Sequence, residues 1–199
     1  MSKKAIIHLS KDPLLKNVIE STELETSPGS DDVYGSLVKS IVSQQLSVKA
    51  AATIYGRFLA LFENNYPHHE HVLKMEPDTM RHVGLSRQKS AYIKNVASFF
   101  IEQQINNKDW TEKSDEDIIT TLTQIKGVGT WTVEMILMFT LNRPDVLPVG
   151  DLGIQQAMIA LYGIEAEKKA LKEKMIEIAE QWRPHRTLAC KYLWQWKDS

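Results

Sequence analysis

The chain has 199 residues, 43% of them hydrophobic and 25% charged, which suits a globular protein of one domain or two small lobes with a substantial core. A formal net charge of −1 excludes a uniformly basic surface, so a nucleic-acid partner would have to meet a local patch. The single cysteine, Cys190, excludes an internal disulfide and a four-cysteine iron–sulfur cluster, and no apolar run approaches the roughly 20 residues of a membrane span.

Apolar residues recur at helical spacing along the chain, and no period-two strand pattern stands out. The sequence therefore predicts an all-α protein of about ten helices. Ser10 or Asp12 caps the first of them, Pro13 lies in its first turn, and residues 26–32 have the composition of a linker. The predicted helical segments, in chain order, are 10–20, from 31 or 32 to about 42, 48–62, 76–82, 87–104, 115–125, 130–141, about ten residues after 151, 165–182, and a last helix ending near 196.

Two polar features between these helices favour solvated surface. Residues 64–71 (NNYPHHEH) contain three of the six histidines, but their spacing fits neither HExxH nor a zinc finger. We therefore expect a loop there without a metal ion. The basic residues Arg87, Lys89 and Lys94 are expected to form an ordinary solvated helix face.

The polar run 43–47 (SQQLS) lies between two apolar helices. Glutamine side chains are costly to bury unless each amide group is paired. A solvated turn and a functional turn are equally compatible with this pattern.

Residues 125–130 (IKGVGT) combine the end of one helix, two glycines and the start of another. Glycines at 127 and 129 allow a tight turn and leave room for a phosphate beside the backbone amides. Thr130 is expected to be the N-cap of the next helix, whose free N–H groups and dipole favour an anion. A dinucleotide fingerprint is excluded, because a helix precedes the turn and the third-glycine position is Thr132. A plain helix end in a bundle remains an alternative.

The combined motifs resemble the helix-hairpin-helix DNA glycosylases of base excision repair, most closely the 3-methyladenine DNA glycosylase II group of bacteria and its fungal relatives. The hairpin, SQQLS, the run 147–151 (LPVGD) and the tail from Trp182 to Trp194 carry the resemblance, which covers residues from about 10 to 196. Asp151 follows Trp131 by 20 positions, the spacing typical of the family. The N-terminal β region of some members is missing, so the compact, helix-only form is expected.

The resemblance implies a single glycosylase domain over 1–199, built of two helical lobes with a cleft between them. One lobe would span about 33–143 and contain the hairpin at 118–141. The other would combine 1–32 with 144–199. The hairpin and Asp151 would lie at the mouth of the cleft.

The resemblance also assigns roles to individual residues. Gln45, flanked by Gln44 and Leu46, would be the wedge that fills the gap left by an extruded nucleotide. Trp131 and Trp194 would line the base pocket, with Tyr34 and Met135 as weaker candidates, although core packing explains Trp194 almost equally well. The residues expected to bind the DNA backbone are Lys126, Gly127, Val128, Gly129, Thr130 and Thr132.

Asp151 is the expected catalytic residue. A carboxylate beside the sugar stabilises the positive charge that develops as the C–N bond breaks, and can orient water. The alternative is an N-cap for the helix beginning at Leu152, and the two roles are compatible. Only one carboxylate is indicated, which suits a cationic alkylated purine that leaves readily and is attracted to tryptophan faces.

The resemblance implies a monofunctional enzyme, because Trp131 stands where bifunctional relatives have a nucleophilic lysine. No cofactor is required, although Na⁺ or K⁺ could bind the carbonyls of Thr123, Ile125 and Val128. The expected partner is duplex DNA containing a damaged base, bound by a monomer with no membrane association. The location would be cytoplasmic, with the nucleoid, in a bacterium and nuclear in a eukaryote. A non-catalytic hairpin DNA-binding module and a helical protein-interaction domain remain alternatives.

Overall fold

A computed structural model describes residues 3–24, 29–105 and 110–197, and every regular element within them is helical. This confirms the all-α prediction; residues 26–28 of the predicted linker lie outside the described residues. No helix in the described part of the chain is long and apolar enough to cross a membrane. The α-helices are Lys3–Leu9, Pro13–Ser21, Val33–Ser43, Val48–Leu59, His69–Lys74, Pro77–His82, Arg87–Glu102, Asp115–Leu122, Thr130–Met135, Leu152–Tyr162, Lys168–Ala179 and Arg186–Lys197. Short 3₁₀ turns cover Glu63–Asn65 and Glu180–Trp182, and a π-helical turn covers Ile136–Thr140.

Two of these helices differ from the sequence predictions. Lys3–Leu9 was not predicted, because its seven residues bury only Ala5 and Leu9. The helix His69–Lys74 lies in and beyond the segment predicted to be a loop. Its histidines make the segment polar in sequence, and Val72 is its single fully buried apolar residue. The helix therefore forms through tertiary packing rather than through an apolar stripe.

The chain divides into two compact units. One is the continuous stretch Ser30–Ile136, and the other consists of the described parts of Met1–Gly29 and Leu137–Ser199. The predicted organisation as a single glycosylase domain stays a prediction.

In the unit Ser30–Ile136, helix Val33–Ser43 packs against Val48–Leu59 and Arg87–Glu102. The long helix Arg87–Glu102 also contacts the two short helices His69–Lys74 and Pro77–His82. The apolar stripe that makes these contacts is fully buried and comprises Leu37, Val38, Ile41, Ile93, Val96 and Ala97.

Lys89 and Lys94 do not form the solvated basic face that was predicted. The Lys89 ammonium donates to the carbonyls of Val42 and Gln44, each at 2.7 Å, and burial lowers the pKa of Lys89. Lys94 donates to the carbonyls of Leu73 at 3.1 Å and Met75 at 2.7 Å. The prediction was wrong because both lysines satisfy carbonyls at the ends of neighbouring helices, a tertiary role that sequence spacing does not show.

An aromatic cluster forms the interior of this unit around Tyr34, which is 1% exposed. The Tyr34 hydroxyl donates to the Pro67 carbonyl at 2.7 Å, and its ring lies 3.9 Å from that of His69 and 5.4 Å from that of Phe100, between centroids. Among the described residues, His69 Nε2 is buried without a hydrogen-bond partner. Burial lowers the pKa of His69, and repulsion from His68 lowers it further.

In the other unit, helix Leu152–Tyr162 packs against Arg186–Lys197, Pro13–Ser21 and Lys168–Ala179. The polar centre of this packing is Asp12, whose side chain is almost fully buried. Of the two predicted caps, Ser10 and Asp12, it is Asp12 that caps helix Pro13–Ser21. Its Oδ1 accepts hydrogen bonds from the amides of Leu14 and Leu15.

The second oxygen of Asp12 accepts three further hydrogen bonds from distant side chains. Oδ2 accepts from the Tyr162 hydroxyl at 2.7 Å, from Trp182 Nε1 at 3.0 Å and from Gln181 Nε2 at 3.2 Å. Burial and the bond to Asp12 raise the pKa of Tyr162, so this hydroxyl remains a donor. The carboxylate therefore joins three separate parts of the chain.

We expect His69 to make folding stability sensitive to mild acid. A base whose pKa is lowered on folding binds protons preferentially in the unfolded state. The free energy of unfolding therefore decreases as the pH falls below the unfolded-state pKa of about 6.5. The wild-type melting temperature should therefore drop more between pH 7.5 and 5.5 than that of His69→Phe, which keeps the ring stack but cannot titrate. His71→Gln, at an exposed position on the same helix, should behave as wild type; equal pH sensitivity of wild type and His69→Phe would contradict the assignment.

Candidate nucleic-acid hairpin and carboxylate site

The hairpin turn is formed by residues 125–128. Val128 N–H donates to the Ile125 carbonyl at 3.0 Å, and both side chains are buried. Gly127 occupies the third position with φ of +106°, a conformation that favours glycine. A Cβ on Gly127 would also lie 2.2 Å from Cγ of Tyr92, so this glycine is required both by dihedral angle and by space.

Gly129 has a different role from Gly127. Its φ of −101° is open to any residue, and an added Cβ would meet no protein atom within 4 Å. Gly129, not Thr130, is the N-cap of helix Thr130–Met135. The prediction for Thr130 was wrong because the extended backbone of a cap ends one residue earlier, and Thr130 is already helical.

The SQQLS turn and the hairpin are joined by a hydrogen bond within the same unit. Gln44 Nε2 donates to the Gly127 carbonyl at 3.4 Å, and Asn95 Nδ2 donates to the Lys126 carbonyl at 3.0 Å. Of the residues predicted to bind a DNA backbone, Lys126, Gly129 and Thr130 are exposed. The others are less exposed: Gly127 is half-buried, and Val128 and Thr132 are buried. These residues could offer backbone groups to DNA rather than side chains.

The predicted wedge residue Gln45 stands at the exposed tip of its turn with φ of +56°. This left-handed conformation costs a non-glycine residue about 1–2 kcal/mol. The neighbouring Leu46 is 37% exposed, and Val48, which the sequence reading did not single out, is 89% exposed. A strained polar tip beside two exposed aliphatic side chains is typical of a functional surface rather than a simple loop.

The predicted pocket residues of this unit separate into two environments. Trp131 is 46% exposed, and half-buried Met135 follows it by one helical turn, so the two share a face of the hairpin helix. Tyr34 instead lies in the aromatic interior described above, and its ring presents almost no surface in this structure. Its proposed role as a pocket wall stays a prediction.

In the other unit, Asp151 is the N-cap of helix Leu152–Tyr162. Its Oδ1 accepts from the amide of Ile154 at 2.8 Å and from Trp194 Nε1 at 2.8 Å. The structural alternative for Asp151 is thus present, together with a side-chain contact to a second predicted site residue. Sequence reasoning named both residues but did not foresee their hydrogen bond.

Phe139 was missed by the sequence analysis, which treated the segment as an apolar helix. It lies on the π-helical turn, is 47% exposed, and its ring stacks on Trp194 at 5.7 Å between centroids and 29° between planes. The Lys191 ammonium lies 4.9 Å from the centroid of the Phe139 ring, and burial lowers the pKa of Lys191. The π-helical turn is the feature that could direct attention here, since such turns often occur at functional sites.

The loop before Asp151 is tied to the start of helix Arg186–Lys197, which carries Trp194. The Asp145 carboxylate binds Arg183 at 2.7 Å and Arg186 at 2.8 Å. The Thr187 hydroxyl accepts from the Val146 amide at 3.0 Å. These bonds fix the loop against the helix, and Asp145 pairs with both arginines at this helix start.

A glycine hairpin that opens a helix, hydrogen-bonded to an exposed polar turn, suits a protein that binds a nucleic-acid backbone. The chain belongs to the HhH-GPD superfamily of base excision DNA repair proteins, whose model matches residues 38–184.

Individual relatives narrow this class. DNA-3-methyladenine glycosylase 1 of Schizosaccharomyces pombe is 39% identical over 164 residues, which are 81% of this chain and 71% of the relative. A putative DNA-3-methyladenine glycosylase of Bacillus subtilis is 30% identical, over 82% of this chain and 58% of its own length.

Two solved structures are similar over nearly the whole chain. A DNA-3-methyladenine glycosidase from Bacillus halodurans has a TM-score of 0.84 and 35% identity, covering 100% of this chain and 90% of its own. The S. pombe 3-methyladenine DNA glycosylase in complex with abasic DNA has a TM-score of 0.81 and 36% identity, covering 96% and 95%.

We expect alanine to distinguish the two hairpin glycines. Gly127→Ala must adopt a positive φ and displace Tyr92, so the free energy of unfolding should fall by about 1–3 kcal/mol. Gly129→Ala meets neither constraint and should change it by no more than about 0.5 kcal/mol. Thermal or denaturant unfolding of both variants measures the difference, and equal losses would show that the turn is not built as described.

Proposed function

We propose that this chain is a monofunctional DNA glycosylase that flips an alkylated purine of the 3-methyladenine type out of duplex DNA and hydrolyses its N-glycosidic bond, which begins base excision repair. Family membership and relatives named DNA-3-methyladenine glycosylase support the enzyme class. The observation that carries the proposal is the Asp151 carboxylate, which accepts hydrogen bonds from Ile154 and Trp194 in a family that acts on damaged bases.

The hairpin binds the DNA backbone in this proposal. Gly129 is exposed, its extended backbone begins the helix, and no side-chain hydrogen bond caps that helix start. Amides at such a site suit a phosphate, and exposed Lys126 adds charge. Contacts of this kind position a protein on DNA without reading sequence.

The wedge is Gln45 with Leu46, and Gln44 supports their turn. The Lys89 ammonium and the Gln44–Gly127 hydrogen bond anchor the turn on both sides. An anchored, strained tip with exposed aliphatic neighbours can enter the base stack and hold the space of an extruded nucleotide.

Trp131 offers an exposed indole face on the hairpin helix, with Met135 beside it. A cationic alkylpurine is attracted to such a face through cation–π contact. We assign Trp131 and Met135 to recognition of the extruded base. Tyr34 remains the weakest candidate, because its ring is buried against His69 and Phe100.

Asp151 performs the chemical role. As the bond to the base breaks, positive charge develops on the sugar, and a preorganised carboxylate stabilises it while orienting water for attack. Water adds to the sugar, its proton is released, and the base departs with the bonding electron pair. One carboxylate suffices because an N3- or N7-alkylated purine is already an activated leaving group.

Strand cleavage through a Schiff base is not expected, because Trp131 occupies the position of the nucleophilic lysine in bifunctional relatives. The chain would leave an intact strand with an abasic site. Lys126 directly precedes the hairpin glycines, and Lys191 lies three residues before Trp194, where burial lowers the pKa of Lys191.

An alkali cation fits the chemistry of the hairpin. The proposed ligands are the carbonyl oxygens of Thr123, Ile125 and Val128, which are hard donors suited to Na⁺ or K⁺. The Ile125 carbonyl accepts the Val128 amide, which uses one of its two lone pairs and leaves the other for a cation. The ion would neutralise a phosphate and stiffen the turn.

We further propose that the chain acts as a monomer on duplex DNA that contains a damaged base. Its location would be the cytoplasm, with the nucleoid, in a bacterium and the nucleus in a eukaryote. It needs no organic cofactor or iron–sulfur cluster. A non-catalytic DNA-binding module would bind the same DNA without releasing a base, and incubation of the purified chain with alkylated duplex DNA distinguishes the two.

The hairpin should provide DNA affinity that falls steeply with salt and does not depend on sequence. Gly129→Leu should weaken binding to every duplex alike, because an added Cβ there meets no protein atom within 4 Å and the leucine side chain would obstruct a phosphate. Gly56→Leu, where an added Cβ also meets nothing, is the matched control. Fluorescence anisotropy across a salt series measures this, and unchanged affinity of folded Gly129→Leu would refute the hairpin assignment.

Asp151→Asn should slow base release by about 100- to 1,000-fold, because a preorganised electrostatic contact is typically worth about 3–4 kcal/mol. Asparagine keeps most of the N-cap, so the melting temperature should change little. The loss should be larger for neutral hypoxanthine than for cationic 7-methylguanine, which needs less help to leave. Single-turnover excision measures both rates.

Asp32→Asn is the matched control for that experiment. Asp32 is also an N-cap, with Oδ1 accepting from the Gly35 amide at 2.9 Å and from the Tyr66 hydroxyl at 3.1 Å. It should excise at the wild-type rate. Wild-type rates in Asp151→Asn as well would remove the carboxylate from the mechanism.

Borohydride should trap no covalent complex between the enzyme and DNA, because the hairpin helix offers no amine nucleophile. Denaturing gels should show an intact strand until alkali cleaves the abasic site. If an adduct does form, Lys126→Ala and Lys191→Ala identify the amine, and the monofunctional assignment is wrong.

A further inference from the structure

We propose that Trp194 is a positioning residue for Asp151, and that Gly153 provides the space this requires. The indole N–H fixes the orientation of the carboxylate, in addition to any contact that the ring makes with a base. This inference rests on the proposed function and deepens its account of Asp151.

Two hydrogen bonds to Asp151 come from different helices. The Ile154 amide belongs to the helix that Asp151 caps, whereas Trp194 belongs to helix Arg186–Lys197, and both donate to Oδ1 at 2.8 Å. A cap bond alone leaves a carboxylate free to rotate about its side-chain torsions. A second donor from another element sets the plane of the group and therefore the direction of Oδ2.

Gly153 is needed because of space and not because of its backbone angle. It is absent from the glycines with positive φ among the described residues, and it lies near the start of helix Leu152–Tyr162, where alanine has the better propensity. A Cβ at Gly153 would lie 3.0 Å from both Cδ1 and Nε1 of Trp194, and 3.1 Å from Asp151 Oδ1. The glycine therefore admits the indole edge to the carboxylate.

The indole is held in place before any substrate binds. Its ring stacks on Phe139, and the adjacent residues Tyr192 and Leu193 are buried in the unit. The loop leading to Asp151 is fixed to the start of the same helix through Asp145 and Thr187. Donor and acceptor are thus preorganised by the same part of the fold.

A positioning role and a base-wall role predict opposite lesion dependence for Trp194→Phe. Phenylalanine keeps an aromatic face but loses the N–H. If Trp194 acts through Asp151, the single-turnover rate should fall about ten- to a hundred-fold, the usual effect of losing a hydrogen bond to a charged group, and more for hypoxanthine than for 7-methylguanine. A weakened cation–π wall would instead penalise the cationic base more.

The Asp151→Asn background provides the decisive comparison. Trp194→Phe should cost little more there, because the carboxylate through which it acts is already lost. Affinity for abasic-site duplex should remain that of wild type. A full additional loss in the double variant, or a larger loss for 7-methylguanine, would overturn the positioning role.

Gly153→Ala tests the geometry without altering the indole. It should reproduce the rate loss and lesion preference of Trp194→Phe at an unchanged affinity for abasic-site duplex. Gly150→Ala, in the loop directly before Asp151 and with nothing beyond its chain neighbours within 4 Å of an added Cβ, should excise as wild type. Wild-type excision by folded Gly153→Ala would overturn the role of Gly153.

An NMR measurement tests the hydrogen bond independently of activity. The indole N–H resonance of Trp194, assigned from its loss in Trp194→Phe, should lie downfield and move upfield in both Asp151→Asn and Gly153→Ala. An unmoved resonance in both variants would refute the bond, even if excision occurs. A shifted resonance in a protein that releases no base would instead support the geometry and reject the proposed function.

Discussion

The buried carboxylate of Asp12 is the constraint on which one unit of this protein depends. It caps its own helix and accepts hydrogen bonds from Tyr162, Gln181 and Trp182. An almost fully buried charge is tolerable only when its oxygens are satisfied, and five donors achieve this. Since Tyr162 ends the helix that Asp151 begins, an aspartate binds that helix at each end. Asp12 fixes the C-terminal end of this helix, and Asp151 caps its N-terminal end, where the candidate reaction centre lies.

In the unit Ser30–Ile136, the positively charged Lys89 also holds separate segments together, but it does so by donating hydrogen bonds rather than accepting them. Lys89 collects the carbonyls at the end of helix Val33–Ser43 and so holds the turn that carries Gln45. Gln44 then links this turn to the Gly127 carbonyl of the hairpin. The proposed wedge and the proposed phosphate-binding turn therefore share one support, so a change at Lys89 would disturb both.

Periodicity and capping predicted most of the helices, because their buried faces and N-cap residues are local properties. Asp151 could be named in advance because it follows the hairpin at the spacing of the family that the sequence resembles. The N-cap was predicted at Thr130 but is Gly129. Threonine and glycine both occur at N-caps, and only the backbone angles distinguish the two positions. Lys89 and the need for Gly153 could not be predicted, because their partners are distant in sequence. The helix at His69 rests on one buried valine, which no pattern can reveal.

The discontinuity of one unit has a consequence for synthesis on the ribosome. The stretch Ser30–Ile136 is continuous and can fold as soon as it emerges, whereas Asp12 must wait for partners 150, 169 and 170 positions further along the chain. Until then its helix can pack only against the short preceding helix Lys3–Leu9, and the loop-closure entropy is among the largest this chain can incur. The unit that carries Asp151 is thus completed last, after the unit that carries the hairpin and Gln45. A truncated or stalled chain would keep the proposed DNA-binding elements but lack the completed unit of the proposed catalytic carboxylate.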